Sequence, residues 1–444
     1  AQSYLVAERI IDTALKAGCD AIHPGYGFLA ERAFFAAAVA EAGLTFIGPS
    51  ASAIAAMGDK TEARRRMIAA GVPVVPGNAD PLPDAAAAEA VAEQFGFPVL
   101  LKAAAGGGGK GMRVVRERAE LARAFDAATH EASAAFGDGS VYLEKYLEQP
   151  RHIEIQILAD GAGNTLYLGE RDCSVQRRHQ KMIEEAPSPV ITPAVRARMG
   201  EAATAAARAV GYANAGTIEF LFENGEFFFL EMNTRIQVEH PVTELVTGID
   251  LVQWQIRIAA GEKLPFTQED VTLRGHAIEC RITSEDTAHG FLPSTGRITH
   301  LEIPAGPGVR WDGGVVEGGE IAVFYDPLVG KLITWAPDRT AAIDRMQRAL
   351  RELRVVGVET SAPFHAAVLA EPDFRAGAVD IHYLEKHPHV LTPALPDSEL
   401  RRAALAAAML EDQRRNRGAS ARPAASAADS PSASGSRWRS MGWR

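Results

Sequence analysis

The chain has 444 residues, 47% of them hydrophobic, enough to bury several cores, and roughly two to four domains follow from that length. A net charge of −10 argues against a nucleic-acid binder; no apolar stretch approaches the roughly 20 residues of a membrane helix and no secretory signal opens the sequence. Three widely spaced cysteines, Cys19, Cys173 and Cys280, form no metal-ligand pattern and suit a reducing cytoplasm, the expected localisation.

The sequence opens directly on a helix pattern that continues through Ile10, Ile11, Leu15 and Lys16. Helix and strand signals then alternate to about Met57, with Ala21-Ile22 and Thr45-Phe46-Ile47-Gly48-Pro49 as strand ends. A parallel sheet beginning this way exposes an edge. Phe97-Pro98-Val99-Leu100-Leu101-Lys102 reads as a short strand ending in lysine, followed by Gly106-Gly107-Gly108-Gly109-Lys110-Gly111 and a second strand, Met112-Arg113-Val114-Val115. Alanine-rich helices are predicted at 84–95 and 118–135. After Pro150, Ile153, Ile155 and Ile157, then Leu166, Tyr167 and Leu168, give the alternation of an antiparallel sheet, and an alanine-rich helix near 194–210 packs on it. A helix is predicted from Ser398 to Asp412, and the low-complexity stretch 419–436 has too little apolar surface to order itself.

Two segments carry chemistry. The glycine run lets backbone N–H groups approach an anion closely, and a lysine leaving the preceding strand can pair with phosphate oxygens. It is neither a Walker loop, since no Gly-Lys-Ser/Thr closes it, nor a dinucleotide fingerprint, since a strand follows. Downstream, Glu231, Asn233, Arg235, Gln237 and Glu239 occupy every second position after the apolar run Phe227-Phe228-Phe229-Leu230, which reads as a buried strand. If the whole segment is extended, all five share one face. Two carboxylates, an amide and a guanidinium emerging together from a core need charged partners; a hard divalent cation answers the acids and amide, and an anion the arginine. Mg²⁺ with a phosphate-like substrate is the economical reading.

These two segments, in this order and about 120 residues apart, resemble the ATP-grasp enzymes. His23-Pro24-Gly25-Tyr26-Gly27-Phe28-Leu29, Met57-Gly58-Asp59-Lys60, Glu144-Lys145-Tyr146-Leu147, Arg151-His152-Ile153-Glu154 and the run from Glu170 to Lys181 narrow the resemblance to the biotin carboxylase family. The likeness extends from Ser3 to about Lys386. It implies an α/β (α+β) ATP-grasp fold in four parts: a partial N-terminal parallel βα domain at 1–58, an ATP-grasp domain at 59–270 with a flap or lid at about 72–142, a C-terminal mixed α/β domain at 271–386, and a linker and disordered tail at 387–444. Family members carry two further βα units ahead of this start and, in long acyl-CoA carboxylase α subunits, a biotinyl domain beyond this end, so a fragment cut at both ends is expected. The stretch 393–412 resembles the linker of 3-methylcrotonyl-CoA carboxylase α subunits. Leu29-Ala30-Glu31-Arg32 stands where Leu-Ser-Glu-Asn is usual.

The resemblance further implies ATP-dependent carboxylation of biotin by bicarbonate through carboxyphosphate, with ATP, Mg²⁺ (or Mn²⁺) and carried biotin as cofactors. Lys60, Lys102 and His152 are expected to bind the nucleotide with Glu144, Lys145 and Leu147, while Gly108 and Gly109 close over its phosphates and Gln176 and His179 lie toward the ribose. Glu219, Glu231 and Asn233 are the expected metal ligands. Lys181 and Arg235 would clamp bicarbonate, helped by the Val238 backbone, with Gln237 also among the binding residues; Glu239 is the candidate base, and Arg281 would stabilise the biotin oxyanion. The implied partners are a biotin carboxyl carrier protein or domain and a carboxyltransferase, with a homodimer expected if the N-terminus were complete. Cys173 reads as a packed thiol. A different ATP-grasp ligase, such as a carbamoyl phosphate synthetase, or an inactive fragment serving only in assembly are the alternatives.

Overall fold

The computed structural model describes residues 3–78, 80–103, 112–392 and 397–419, with the backbone alone for 60, 61, 135, 136, 397–400 and 415–419. Residues 1–393 make one compact unit. Helix Asp397–Ala419 belongs to a second unit and covers the predicted helix. The low-complexity stretch beyond it lies outside the described residues, as does the glycine run 106–111.

The first elements are α1 (Ala7–Lys16), β1 (Ala21–Ile22), α2 (Ala33–Glu41) and β2 (Thr45–Phe46). β1 and β2 pair in parallel, as the alternating pattern predicts, over a small core of Ala7, Ala14, Leu29, Phe35, Val39 and Leu44. Arg32, at the N-cap of α2, offers no side-chain capping bond. Next come α3 (Ala51–Gly58), capped by the Ser50 hydroxyl, and α4 (Lys60–Ala69), capped by the Asp59 carboxylate. Both satisfy N-terminal N–H groups that would otherwise lack a partner.

A small sheet in the order β4-β3-β5 follows, made of β3 (Val99–Ala103), β4 (Met112–Val115) and β5 (Val141–Lys145). Its alternation puts Val99, Leu101, Val115, Val141 and Leu143 against Ala88 and Ala92 of α5 (Ala85–Phe95) and Leu121 and Phe125 of α6 (Arg118–Phe136), leaving Lys102 on the other face.

The larger sheet has eight antiparallel strands. In chain order they are β6 (Arg151–Ala159), β7 (Thr165–Arg177), β8 (Gln180–Ala186), β9 (Asn214–Glu223), β10 (Glu226–Asn233), β11 (His276–Thr283), β12 (Val309–Gly313) and β13 (Leu328–Ala336); across the sheet they run β10-β9-β6-β7-β8-β11-β13-β12. The sheet therefore runs straight through position 270, where the sequence suggests a new domain. Helix α7 (Pro193–Ala209) starts with Thr192 as cap and Pro193 in its first turn, and packs its alanines on β6 and β7. Gly200 permits that closeness: a Cβ there would sit 2.6 Å from the Tyr167 ring. α8 (His240–Thr247) and α9 (Leu251–Ala259) cover another part of the sheet. Among the described residues, no helix is long and apolar enough to cross a membrane.

Two expectations about 227–239 are corrected. The segment is not extended throughout: β10 ends at Asn233, the last residue paired with β9, and the chain bends through Thr234 and Arg235 and turns at Val238-Glu239 into α8. The cause is tertiary, since Glu31 accepts hydrogen bonds from Thr234 N and Arg235 Nε at 3.0 Å each and holds the bend. Nor is the run 227–230 uniformly buried. A bulge between Phe229 and Glu231 turns Leu230 outward to 40% exposure and brings Glu231 opposite Glu219. Without that extra residue Leu230 would face Glu219 and the two acids would fall out of register.

Candidate active site

One cavity of about 2040 Å³ lies between the two sheets and is lined by every sequence-assigned site residue whose side chain is described. Gly108, Gly109 and the Lys60 side chain lie outside that description. The small sheet contributes Lys102 and Glu144, cross-strand neighbours joined by a 2.6 Å ion pair, with Tyr146 and Leu147 just beyond. Lys145 also reaches the cavity edge, but its ammonium donates to the carbonyls of Gly96 and Phe97 at 2.8 and 3.2 Å.

On the larger sheet the polar side chains interlock. Lys181 Nζ donates to Glu154, Glu219 and Glu239 at 2.6, 2.8 and 2.7 Å. Burial alone would make its proton easier to lose, but these carboxylates hold its pKa well above the lysine range. Arg281 bridges onward, Nε to Glu184 at 2.6 Å and a terminal nitrogen to Glu239 at 3.0 Å. Burial would raise the Glu239 carboxyl, yet Lys181, Arg281 and Arg171 outweigh it and keep the group ionised well below the usual range. Arg171, fully buried, donates to Glu154, Gln156, Thr243, Thr217 and Gln237. Gln237 is thereby fixed, and its amide nitrogen donates to Glu219 at 2.8 Å. Arg235 bonds Asn233 Oδ1 at 2.8 Å as well as Glu31. The Val238 carbonyl accepts from Lys331 at 2.6 Å.

His152 Nε2 lies 2.9 Å from Glu219, an ion-pair distance without hydrogen-bond alignment; burial lowers its pKa, but the Glu219 charge prevails and raises it. Gln176 contacts the other ring nitrogen at 3.0 Å. His179 sits at the tip of a two-residue hairpin between β7 and β8, where Arg178 and His179 both have positive φ, 51° and 65°. Positive φ at both central residues is what a two-residue hairpin asks for, though uncommon outside glycine, and the exposed imidazole lines the cavity. Cys173 is fully buried, and desolvation pushes its thiol well up, as a packed cysteine requires.

The metal ligands expected from sequence form an all-oxygen set: Glu219 and Glu231 are cross-strand partners, and Asn233 follows on the same face. Hard oxygen donors on one face of this cavity fit Mg²⁺. Atoms of His152, Glu154 and Glu219 also converge within 4.8 Å, but there the Lys181 ammonium already supplies the positive charge. Glu154, Arg171, Glu184, Lys331 and Glu31 carry no assigned role in the sequence reading. For the first, a signal existed: His152, Glu154 and Gln156 alternate with isoleucines in a strand buried on both faces.

A small antiparallel sheet bearing lysine, set over a larger one bearing an acid-amide-acid group, defines an ATP-grasp ligase. Residues 1–54 match the biotin carboxylase N-terminal domain, 59–267 the ATP-binding domain of the carbamoyl-phosphate synthase L chain, and 279–386 the biotin carboxylase C-terminal domain. The chain is 54% identical over 386 residues to a pyruvate carboxylase subunit of Methanothermobacter thermautotrophicus, covering 87% of this chain and 79% of that one. It is 53% identical over 387 residues to a biotin carboxylase of Haemophilus influenzae, covering 87% and 86%. A crystal structure of the biotin carboxylase domain dimer of Hydrogenobacter thermophilus 2-oxoglutarate carboxylase, in complex with MgADP, ADP and bicarbonate, is similar with a TM-score of 0.80 and 51% identity, covering 88% of this chain and 87% of that one. The chain belongs to the biotin carboxylase family.

Proposed function

We propose that this chain carries out the ATP-dependent carboxylation of biotin by bicarbonate, the first half-reaction of a biotin-dependent carboxylase. The observation that carries the reading is the unbroken chain of contacts Glu219–Lys181–Glu239–Arg281, which joins the acid-amide group to an arginine at the far end of the same cavity. Two anionic substrates repel one another, and such a row of fixed charges is what brings them together. Lys102, with Glu144 and Leu147 beside it, holds the nucleotide phosphates; His179 and Gln176 lie toward the ribose. Glu219, Glu231 and Asn233 would hold Mg²⁺, which supplies charge neutralisation at the transferring phosphoryl group.

Arg235 and Lys181 bind bicarbonate beside the Val238 backbone, and Glu239 takes its proton as the bicarbonate oxygen attacks the γ-phosphate. The low proton affinity of Glu239 belongs to a site whose cations all face protein carboxylates. Substrate anions that draw Lys181 and Arg281 toward themselves raise that affinity at the moment of transfer. With ADP as the first leaving group, carboxyphosphate then breaks its C–O bond to give CO₂ and phosphate, the phosphate takes the biotin N1 proton, N1 bonds the CO₂, and Arg281 faces the charge that develops on the ureido oxygen.

The division at 1–58, 59–270 (lid about 72–142), 271–386 and 387–444 is part of this reading; separate hydrophobic clusters support the first part and the lid, whereas the core of the third part also takes in Val175, Met182 and Ile183. The partners we infer are a biotin carrier protein or domain, a carboxyltransferase, and a second copy of the chain, the last by analogy with the dimeric relative. Relatives named for pyruvate and for 2-oxoglutarate resemble the chain almost equally, 54% and 51%. The acyl acceptor is therefore chosen elsewhere, and the 3-methylcrotonyl-CoA reading rests on the 393–412 linker alone. The test separates the half-reactions. In Arg281→Ala, bicarbonate-dependent ATP hydrolysis should persist while carboxybiotin formation falls by roughly 10² to 10³, the loss of one oxyanion donor. Equal losses in ADP release and carboxybiotin, measured together, would remove Arg281 from the biotin step.

A further inference from the structure

β8 and β11 place Glu184 and Glu279 directly opposite one another. Opposed residues of an antiparallel pair project to one face with Cβ atoms about 4.5–5.5 Å apart, so two carboxyl groups meet there. Both residues are fully buried. Arg281 Nε occupies Glu184 Oε1 at 2.6 Å, whereas Glu184 Oε2 and both oxygens of Glu279 have no hydrogen-bond partner among the described residues.

The surrounding charges do not account for two buried carboxylates. Arg281, two residues after Glu279 on β11, is shared between Glu184 and Glu239. Lys331, opposite Arg281 on β13, is directed at the Val238 carbonyl and, at 3.6 Å, at Asp312. Lys181 on β8 is committed to Glu154, Glu219 and Glu239. A buried carboxylate with neither hydrogen bond nor cation is costly, and a carboxylic acid in the same place becomes a donor.

We propose that Glu279 is a neutral carboxylic acid donating its proton in a hydrogen bond to Glu184 Oε2, and that the Glu184 carboxylate so supported is a positioning residue that fixes Arg281 for the biotin step. One shared proton satisfies the orphaned oxygen of Glu184 and an orphaned oxygen of Glu279 together, and leaves Glu184 charged on the side where it grips Arg281. Electrostatics run the same way. Burial pushes the Glu279 carboxyl well up against the opposing Lys331, and raises Glu184 to about 7 against Arg281, with Glu239 adding to the rise. Glu184 therefore keeps its proton to higher pH than an ordinary carboxyl, toward neutrality, and the grip on Arg281 is made as pH rises through that range.

This rests on the biotin carboxylation reading, so two readouts are needed, one independent of turnover. In infrared spectra at about pH 8, well above the ordinary carboxyl range, the protein should show a buried protonated-carboxyl band that Glu279→Gln removes and Glu184→Gln retains. In turnover assays, Glu184→Gln should lower carboxybiotin formation roughly tenfold at about pH 8 and erase the rising limb near neutrality, while biotin-independent ATP hydrolysis keeps its profile. Glu279→Gln, whose amide can still donate, should behave like the unaltered protein; Glu279→Leu, which cannot, should shift that limb to higher pH. Absence of the band, or a Glu184→Gln profile matching the unaltered one, would overturn the proposal. A band that behaves as stated in a protein showing no biotin-dependent turnover would instead fault the carboxylation reading.

Discussion

The two sheets that face the cavity hold their charges differently. On the small sheet, the Lys102–Glu144 pair keeps 31% and 15% of its side-chain surface exposed. On the large sheet, Lys181 is 12% exposed and its three carboxylate partners, Glu154, Glu219 and Glu239, are 0%, 5% and 2% exposed. An ion pair that keeps part of its surface in water is worth less than a buried one and can exchange its partner for a phosphate at smaller cost. A buried network must be complete before any ligand arrives, because each charge in it depends on the others. The small sheet thus holds a charge pair that a ligand can exchange, and the large one presents a fixed field to the same cavity.

The sharpest way to break this contrast is Lys181→Met. It leaves three buried carboxylates without their shared cation and should destabilise the fold by about 3–5 kcal/mol, read by urea denaturation. A loss below about 1 kcal/mol would place Lys181 with partly exposed pairs such as Lys102–Glu144. Glu231→Gln probes the same sheet where its side chain is exposed, at the end of β10. ATP hydrolysis should fall by at least roughly 10²-fold with the melting midpoint little changed, so that activity and stability part company there but not at Lys181.

A third comparison uses acid. Glu185, on β8, accepts from His276 and Arg339 at 2.7 Å each. Burial would raise its carboxyl, but these partners lower it to about 2. Its contribution is therefore present above the ordinary carboxylate value and is lost as pH falls through about 2. Between about pH 5 and pH 3 the protein should lose about 2 kcal/mol more stability than Glu185→Gln does. Parallel loss in both would show that the large sheet does not depend on this carboxylate. The smallest effect is expected on the small sheet: Lys102→Ala should change stability by less than about 1 kcal/mol while raising the KM for ATP roughly tenfold.

Much of this was legible in the chain because it is local. The strand-glycine-strand signal around Lys102, the alternation of isoleucines in β6 and the capped, alanine-rich α7 all depend on neighbours a few residues away. The candidate site residues taken from their motifs line one cavity where they are described, but the way they are held was not legible. Arg235 leaves the strand pattern because Glu31, 204 positions earlier, holds it. The bulge that aligns Glu231 with Glu219 is set by packing of Phe227 and Phe229 against β9 and the helices beneath, and one-residue register choices leave little trace in sequence. Glu184 and Glu154 read as ordinary strand residues until β6, β7, β8 and β11 are placed side by side, when their buried carboxylates find Arg281, Arg171 and Lys181.

The central claim is that ATP cleavage here is coupled to fixing bicarbonate on biotin. Incubating the protein with MgATP, isotopically labelled bicarbonate and free biotin, and counting ADP and acid-labile labelled product in one reaction, tests it directly. Biotin should accelerate ADP release, and the added ADP should match labelled carboxybiotin mole for mole. ATP hydrolysis indifferent to biotin, or accelerated without any label fixed, would contradict it.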